Sequence, residues 1–167
     1  FLPMAEQAAL LEQTRRYLSN YGPITVRDAA YYFGASQAEI KKRLSHLPAE
    51  AIELEGRRFY YMEPGGVPEQ TDSGCLFLAG FDPLMLGYEK KQNPFLPQEY
   101  LRGIFSLSGI IMPPVLLHGR VAGRWKRSGK RLLITQFRPF TPEERSLADA
   151  AASHCWSDRL QLVFQDV

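Results

Sequence analysis

Leu10, Leu11, Tyr17, Leu18 and Tyr21 recur at helical spacing, which predicts one amphipathic helix from about residue 5 to residue 21, ended by Gly22 and Pro23. Thr25 with Asp28 three residues later has the form of a capping box, and Val26, Ala29, Ala30 and Phe33 carry an apolar stripe as far as Gly34. Ser36 with Glu39 repeats that signature and opens a third helix through Ile40 and Leu44 to Leu47, before Pro48. Two short helices joined around Gly34 read as a helix-turn-helix. The period then drops to two. Ile52 to Leu54 and Arg58 to Met62 are strand-like, and Glu55-Gly56 between them supplies a tight hairpin turn. Three helices followed by a hairpin is the pattern of a winged helix.

From Glu63 to Gly74 the chain turns to Pro, Gly, Thr, Asp and Ser without periodicity, as an interdomain linker does. Beyond it, Cys75 to Leu78 suggests a strand, and Asp82-Pro83 suggests the cap and first residue of a short helix through Leu86, stopped at Gly87. Residues 114–118, 120–127 and 131–137 form three strand candidates separated by His118-Gly119 and Ser128-Gly129-Lys130, an antiparallel meander. On the middle strand, alternation places Val121, Gly123 and Trp125 on a core face and Arg120, Ala122, Arg124 and Lys126 on a cationic one. Thr141, Pro142 and Glu144 open a last helix toward Trp156, and Leu160, Leu162 and Phe164 alternate in a closing strand. The expected fold is therefore α+β: a winged helix-turn-helix domain over residues 1–63, then a small antiparallel β-barrel or sheet over residues 75–167 with a C-terminal helix.

Composition changes this picture through charge. The 167 residues carry 20 Lys plus Arg against 18 Asp plus Glu, but the 43 positions between Glu99 and Glu143 hold no acid at all. That stretch carries Arg102, Arg120, Arg124, Lys126, Arg127, Lys130, Arg131 and Arg138. A one-signed surface concentrates a partner of opposite sign, and double-stranded DNA is the partner with a dense array of negative charge. The alternative is a solvated basic face with no partner. No apolar run approaches the roughly 20 residues of a membrane span, and no secretory signal precedes the first helix. The start at Phe1 instead of Met points to residues further upstream. Cys75 and Cys155 lie far apart with no metal-ligand spacing, which argues against a zinc site and for a reducing cytoplasm; a single disulfide between them stays open.

The candidate DNA-contacting residues follow from these elements. Gln37, Lys41, Lys42 and Arg43 lie on the second helix of the helix-turn-helix, the one that enters the major groove in DNA-binding versions of the motif. Arg57 and Arg58 lie on the wing, and Arg120, Arg124 and Lys126 on the cationic strand. His118, in a turn beside that strand, is placed to hydrogen-bond a phosphate. No catalytic constellation emerges, because His46, His118 and His154 fall in three different elements with no motif around them. Gly65-Gly66 and Ser128-Gly129-Lys130 lack the sequence of a phosphate-cradling loop, so no nucleotide cofactor is implied, and Asp82 reads better as a helix cap than as a catalytic carboxylate. Among the aromatics, Phe59 and Trp125 alternate inward, whereas Tyr60 is expected to be an exposed ring able to stack on a base.

Two motifs, Phe81-Asp82-Pro83-Leu84-Met85-Leu86-Gly87-Tyr88 and Pro114-Val115-Leu116-Leu117-His118-Gly119-Arg120-Val121-Ala122-Gly123-Arg124-Trp125, resemble the AlkZ-like family of winged-helix DNA glycosylases. The resemblance covers nearly the whole chain. It implies that residues 17–61 correspond to the last of that family's tandem winged helices and the remainder to its C-terminal β-barrel domain. The chain departs from the family at Glu89-Lys90-Lys91, where Asp-Arg is common, and at His118, where Asp is common. The family's catalytic Gln-x-Gln or Gln-x-Asp segment belongs to an upstream winged helix, and no such triplet is expected in this chain. The resemblance thus implies a DNA-gripping piece of a base-excision glycosylase whose chemistry lies elsewhere. Two other readings stay open: a winged-helix transcriptional regulator, which requires a symmetric dimer, and a non-catalytic protein-interaction module.

Overall fold

In a computed structural model, which describes residues 4–63 and 74–167, the chain is mixed α+β and divides into two compact units. One is Phe1–Glu69 with Leu86–Glu89, the other Gln70–Met85 with Lys90–Val167.

The first unit begins with helices α1 (Glu6–Tyr21), α2 (Val26–Phe33) and α3 (Gln37–Leu44), followed by strands β1 (Glu50–Leu54) and β2 (Arg57–Tyr61). Local chemistry sets the ends of α2. Thr25 Oγ1 accepts the Asp28 N–H at 3.1 Å while Asp28 Oδ2 accepts the Thr25 N–H at 2.9 Å, and Gly34 closes the helix in the left-handed region at φ 61°. Ser36 caps α3 by accepting the Glu39 N–H at 3.2 Å. The apolar stripes meet as Tyr17, Leu18, Ile24, Ala29, Ile40 and Leu44, all buried, with Leu10, Phe33 and Leu47 half-buried around them. Glu55 and Gly56, at φ 52° and 71°, form the two-residue turn between the antiparallel β1 and β2, the geometry that matches the strand twist. Residues 86–89 join this unit through hydrogen bonds: Tyr17 donates to the Gly87 carbonyl (2.5 Å), Tyr88 to the Tyr21 carbonyl (2.8 Å), and the Glu89 N–H to Asp28 Oδ1 (3.0 Å). Burial pushes the Tyr17 phenol far above its ordinary value and the Tyr88 phenol up to about 12.

In the second unit, β3 (Cys75–Phe77), β4 (Pro114–Leu117), β5 (Arg120–Ser128), β6 (Arg131–Gln136) and β7 (Gln161–Asp166) form one sheet in that order. The first four are antiparallel, but β7 runs parallel to β6. This corrects the expected antiparallel barrel or sheet in its last strand: helix α6 (Pro142–Cys155) connects β6 to β7, and a crossover of helix length returns the chain in the same direction. Among the described residues the sheet is open, with β3 and β7 as its edges. The chain also carries the short helices α4 (Pro83–Leu86) and α5 (Leu101–Ile104), the latter preceded by a 3-10 turn at Gln98–Tyr100. Ala148 and Ala152 of α6 pack with Val115, Leu117, Ala122, Leu132 and Ile134, while a second cluster joins Met85 and Ile104 to Leu116 and Val121. Neighbouring residues of β4 and β5 thus face different cores. Cys75 is buried and Cys155 exposed, and both are free thiols.

The expected alternation on β5 is broken by a bulge. Leu116 pairs with Val121, but Val115 pairs with Gly123, so the register slips between them. Leu117 faces Arg120 and Pro114 faces Arg124. Since Leu117 and Pro114 are three positions apart, Arg120 lies on the opposite sheet face from Arg124 and Lys126. Ala122, expected among the cations, is buried in the α6 core together with Trp125. Gly123 is required at this crossing, because a Cβ there would sit 2.6 Å from the Thr135 carbonyl oxygen of β6.

Candidate nucleic-acid interface

On α3 the inward stripe of Ile40 and Leu44 fixes which residues face outward. Gln37 and Lys41, one turn apart, are exposed, as is Lys42, and neither lysine has an ion-pair partner among the described residues. These three form a polar and cationic helix surface, with Glu39, committed to Arg43, beside Lys42. Arg43 differs. It is only 8% exposed, ion-paired to Glu39 one turn earlier, with its guanidinium carbon 5.5 Å from the Phe33 ring centroid. One of its nitrogens, Nη1, is buried with no hydrogen-bond partner. Its charge serves the interior of the helix pair, so Arg43 is not arranged as an outward phosphate ligand.

The hairpin's cations are also engaged. Arg58 pairs across the strands with Glu53 at 2.8 Å, in the register that sets those two residues opposite one another. Arg57 lies over the Phe59 ring at 5.0 Å. Tyr60, expected as an exposed ring, is half-buried, its backbone N–H and C=O both bonded to Ile24. Tyr61 donates to Glu50 at 2.6 Å, a bond that raises its phenol above the ordinary value. Beside the exposed Glu50, Glu53 and Arg58, the hairpin exposes two large apolar side chains, Ile52 and Leu54, on the face they share with Phe59 and Arg57.

In the second unit, His118 and Gly119 form the β4–β5 turn, both at positive φ (48° and 77°), with His118 and the adjacent Arg120 exposed. Arg124 is half-buried and donates to the Gly103 carbonyl at 3.3 Å; Lys126 on the same sheet face is exposed. Acids from outside the acid-free stretch neutralise two of its cations. Arg127 pairs with Asp158 at 2.9 Å, and Arg138 grips Glu144 with two bonds of 2.5 and 2.8 Å. That fork, with the Thr141 N–H, holds the Glu144 carboxyl down at about 2. Asp82 is a cap, its Oδ1 accepting the Leu84 N–H at 2.9 Å.

Two features were not read from the sequence. In the first unit a groove of about 560 Å³ is walled by Tyr17, Tyr21, Tyr32 and Phe33, with Tyr17 and Tyr32 stacked at 4.5 Å and Tyr32 44% exposed. The Tyr31-Tyr32-Phe33 run was the available signal, obscured because only Phe33 fits the apolar stripe. The other is Gln70-Thr71-Asp72, a string of Gln-x-Asp form that corrects the expected absence of such a triplet. It lies in the segment 64–73, outside the described residues.

Comparison with known proteins gives three matches. The family model described as DNA glycosylase AlkZ-like matches residues 2–155. An interstrand DNA cross-link repair glycosylase from Streptomyces sahachiroi is 27% identical over 139 residues, covering 78% of this chain and 37% of the relative. The solved structure of Streptomyces sahachiroi DNA glycosylase AlkZ superimposes with a TM-score of 0.83 at 23% identity, covering 99% of this chain and 48% of that one. The chain therefore spans less than half the length of the relatives it matches.

Proposed function

From the premise that the chain belongs to the AlkZ-like DNA glycosylase family, we propose that it is the duplex-gripping part of a base-excision glycosylase acting in DNA repair in the cytoplasm. In this reading residues 1–63 are a winged helix with α3 as the element that meets the DNA. The single observation that carries it is the outward surface of α3, where Gln37, Lys41 and Lys42 stand exposed and no acid among the described residues pairs with the lysines. Such cations release condensed counterions when they meet phosphates and position the protein without reading bases. The name of the Streptomyces sahachiroi relative supports cross-linked DNA as the substrate class of the parent enzyme. The catalytic groups of that parent come from outside the elements described here, since no base-and-nucleophile pair is assembled in them. Lys41→Glu combined with Lys42→Glu lowers affinity for unrelated duplexes at least tenfold in a fluorescence-anisotropy titration, with the thermal midpoint unchanged. Equal affinity in the folded variant removes α3 from the interface.

The hairpin favours a second reading for its own surface. Arg58 is occupied by Glu53, and Ile52 and Leu54 present apolar area, which suits a protein contact better than phosphates. Ile52→Ser with Leu54→Ser leaving duplex affinity intact supports a protein-facing hairpin; a matching loss of affinity returns it to the DNA.

A further inference from the structure

The second unit contains a cleft of about 900 Å³ bounded by the β5–β6 turn, the first half of α6 and the start of β7. Lys130, Arg131, Arg145 and Arg159 line it against one acid, Asp149, and none of the five has an ion pair among the described residues. Acids are within reach of this region, since Asp158, next in sequence to Arg159, pairs with Arg127. Four unpaired cations gathered into one concavity repel each other, and an anion bound there offsets that repulsion.

The cleft is also held in shape. The Gln161 N–H donates to the Lys130 carbonyl at 2.8 Å, which fastens the β5–β6 turn to the start of β7. Arg145 is fixed from two sides: its Nε donates to the Phe140 carbonyl at 3.3 Å, and its guanidinium carbon lies 4.8 Å from the Phe164 ring centroid. A guanidinium held this way presents its remaining N–H groups with little ordering cost, which suits a tetrahedral oxyanion. Leu162 and Phe164 give the cleft an apolar floor, against which a sugar can lie.

We propose that this cleft is a phosphate-binding site that takes the sugar-phosphate backbone of DNA, at a place separate from α3. Four cations in a cleft of this size exceed what one carboxylate or one phosphate needs, as a run of backbone phosphates would require. The proposal rests on the reading that the chain binds DNA, and its test separates the two. Lys130 and Arg159 are exposed residues that support no core. Duplex titrations of the 167-residue chain over a range of salt are compared for the wild type, Lys130→Glu with Arg159→Glu, and the neutral pair Lys130→Gln with Arg159→Gln. The cleft variants are expected to bind at least tenfold more weakly at low salt, with a log–log salt slope shallower by about two. The neutral pair keeps the test usable if charge reversal impairs folding. A wild type that binds duplex DNA while both folded variants match its affinity and slope overturns the cleft proposal and leaves the α3 reading standing. A wild type that binds no duplex defeats the DNA reading itself. A second arm measures the thermal midpoint with inorganic pyrophosphate. If pyrophosphate stabilises the wild type but not the variants, and duplex affinity is unchanged, the site takes a free phosphate compound and the DNA-backbone proposal fails.

Discussion

Pairing state, more than residue type, decides what each cation here can do. Lys126 and Arg127 are neighbours on β5, yet Lys126 is exposed with no ion pair among the described residues while Arg127 is committed to Asp158. If the sheet contributes to DNA binding, Lys126→Ala reduces the salt slope of duplex binding by about one, and Arg127→Ala leaves it unchanged; equal effects of the two would contradict this division. Glu144 shows the same principle in stability. Its carboxyl is held at about 2 by the Arg138 fork, below the ordinary 4.5. A depressed folded-state value contributes stability that is present above pH 4.5 and lost as pH falls toward 2. Glu144→Gln should cost roughly 1–3 kcal/mol at pH 7, a gap that narrows as pH falls from 4.5 toward 2 in chemical denaturation. A gap that stays constant over that window would assign the cost to the lost cap alone.

At the scale of elements, α3 depends on Leu44, buried at 4% exposure beside the fully buried Ile40. Leu44→Ala is expected to lower unfolding free energy by about 2–5 kcal/mol, read from urea unfolding. Gly123→Ala on β5 drives a methyl group onto the Thr135 carbonyl and should cost about 1–3 kcal/mol; a neutral substitution would mean the bulge can relax. These elements differ in how far they could be read beforehand. The caps Thr25, Ser36 and Thr141, the Glu55-Gly56 turn and the helix stripes were legible because each rests on residues at most four apart. The bulge at Val115–Leu116 was not, since it depends on how β4 and β5 pair, and one slipped residue moved Arg120 away from Arg124 and Lys126. Glu39 and Arg43, four apart on α3, were within reach of the helical period, but the burial of Arg43 over Phe33 was not, and only the strand pairing sets Glu53 opposite Arg58. The parallel β7 was hidden for a related reason: alternation marks a strand but does not give its direction.

Taken whole, the chain has two compact units, and among the described residues each keeps cations outside ion pairs, Lys41 and Lys42 in one and Lys126 with the β7 cleft in the other. Its net charge is only +2, so a non-specific attraction of the entire molecule to DNA would be weak, and binding must come from those local surfaces. The measurement that bears most directly on this is the affinity of the 167-residue chain for an undamaged duplex between 50 and 200 mM salt. About four to six phosphate contacts predict that log K falls linearly with log salt at a slope of roughly −3 to −6. No detectable duplex binding at the low-salt end, or an affinity indifferent to salt, would contradict a DNA-gripping role.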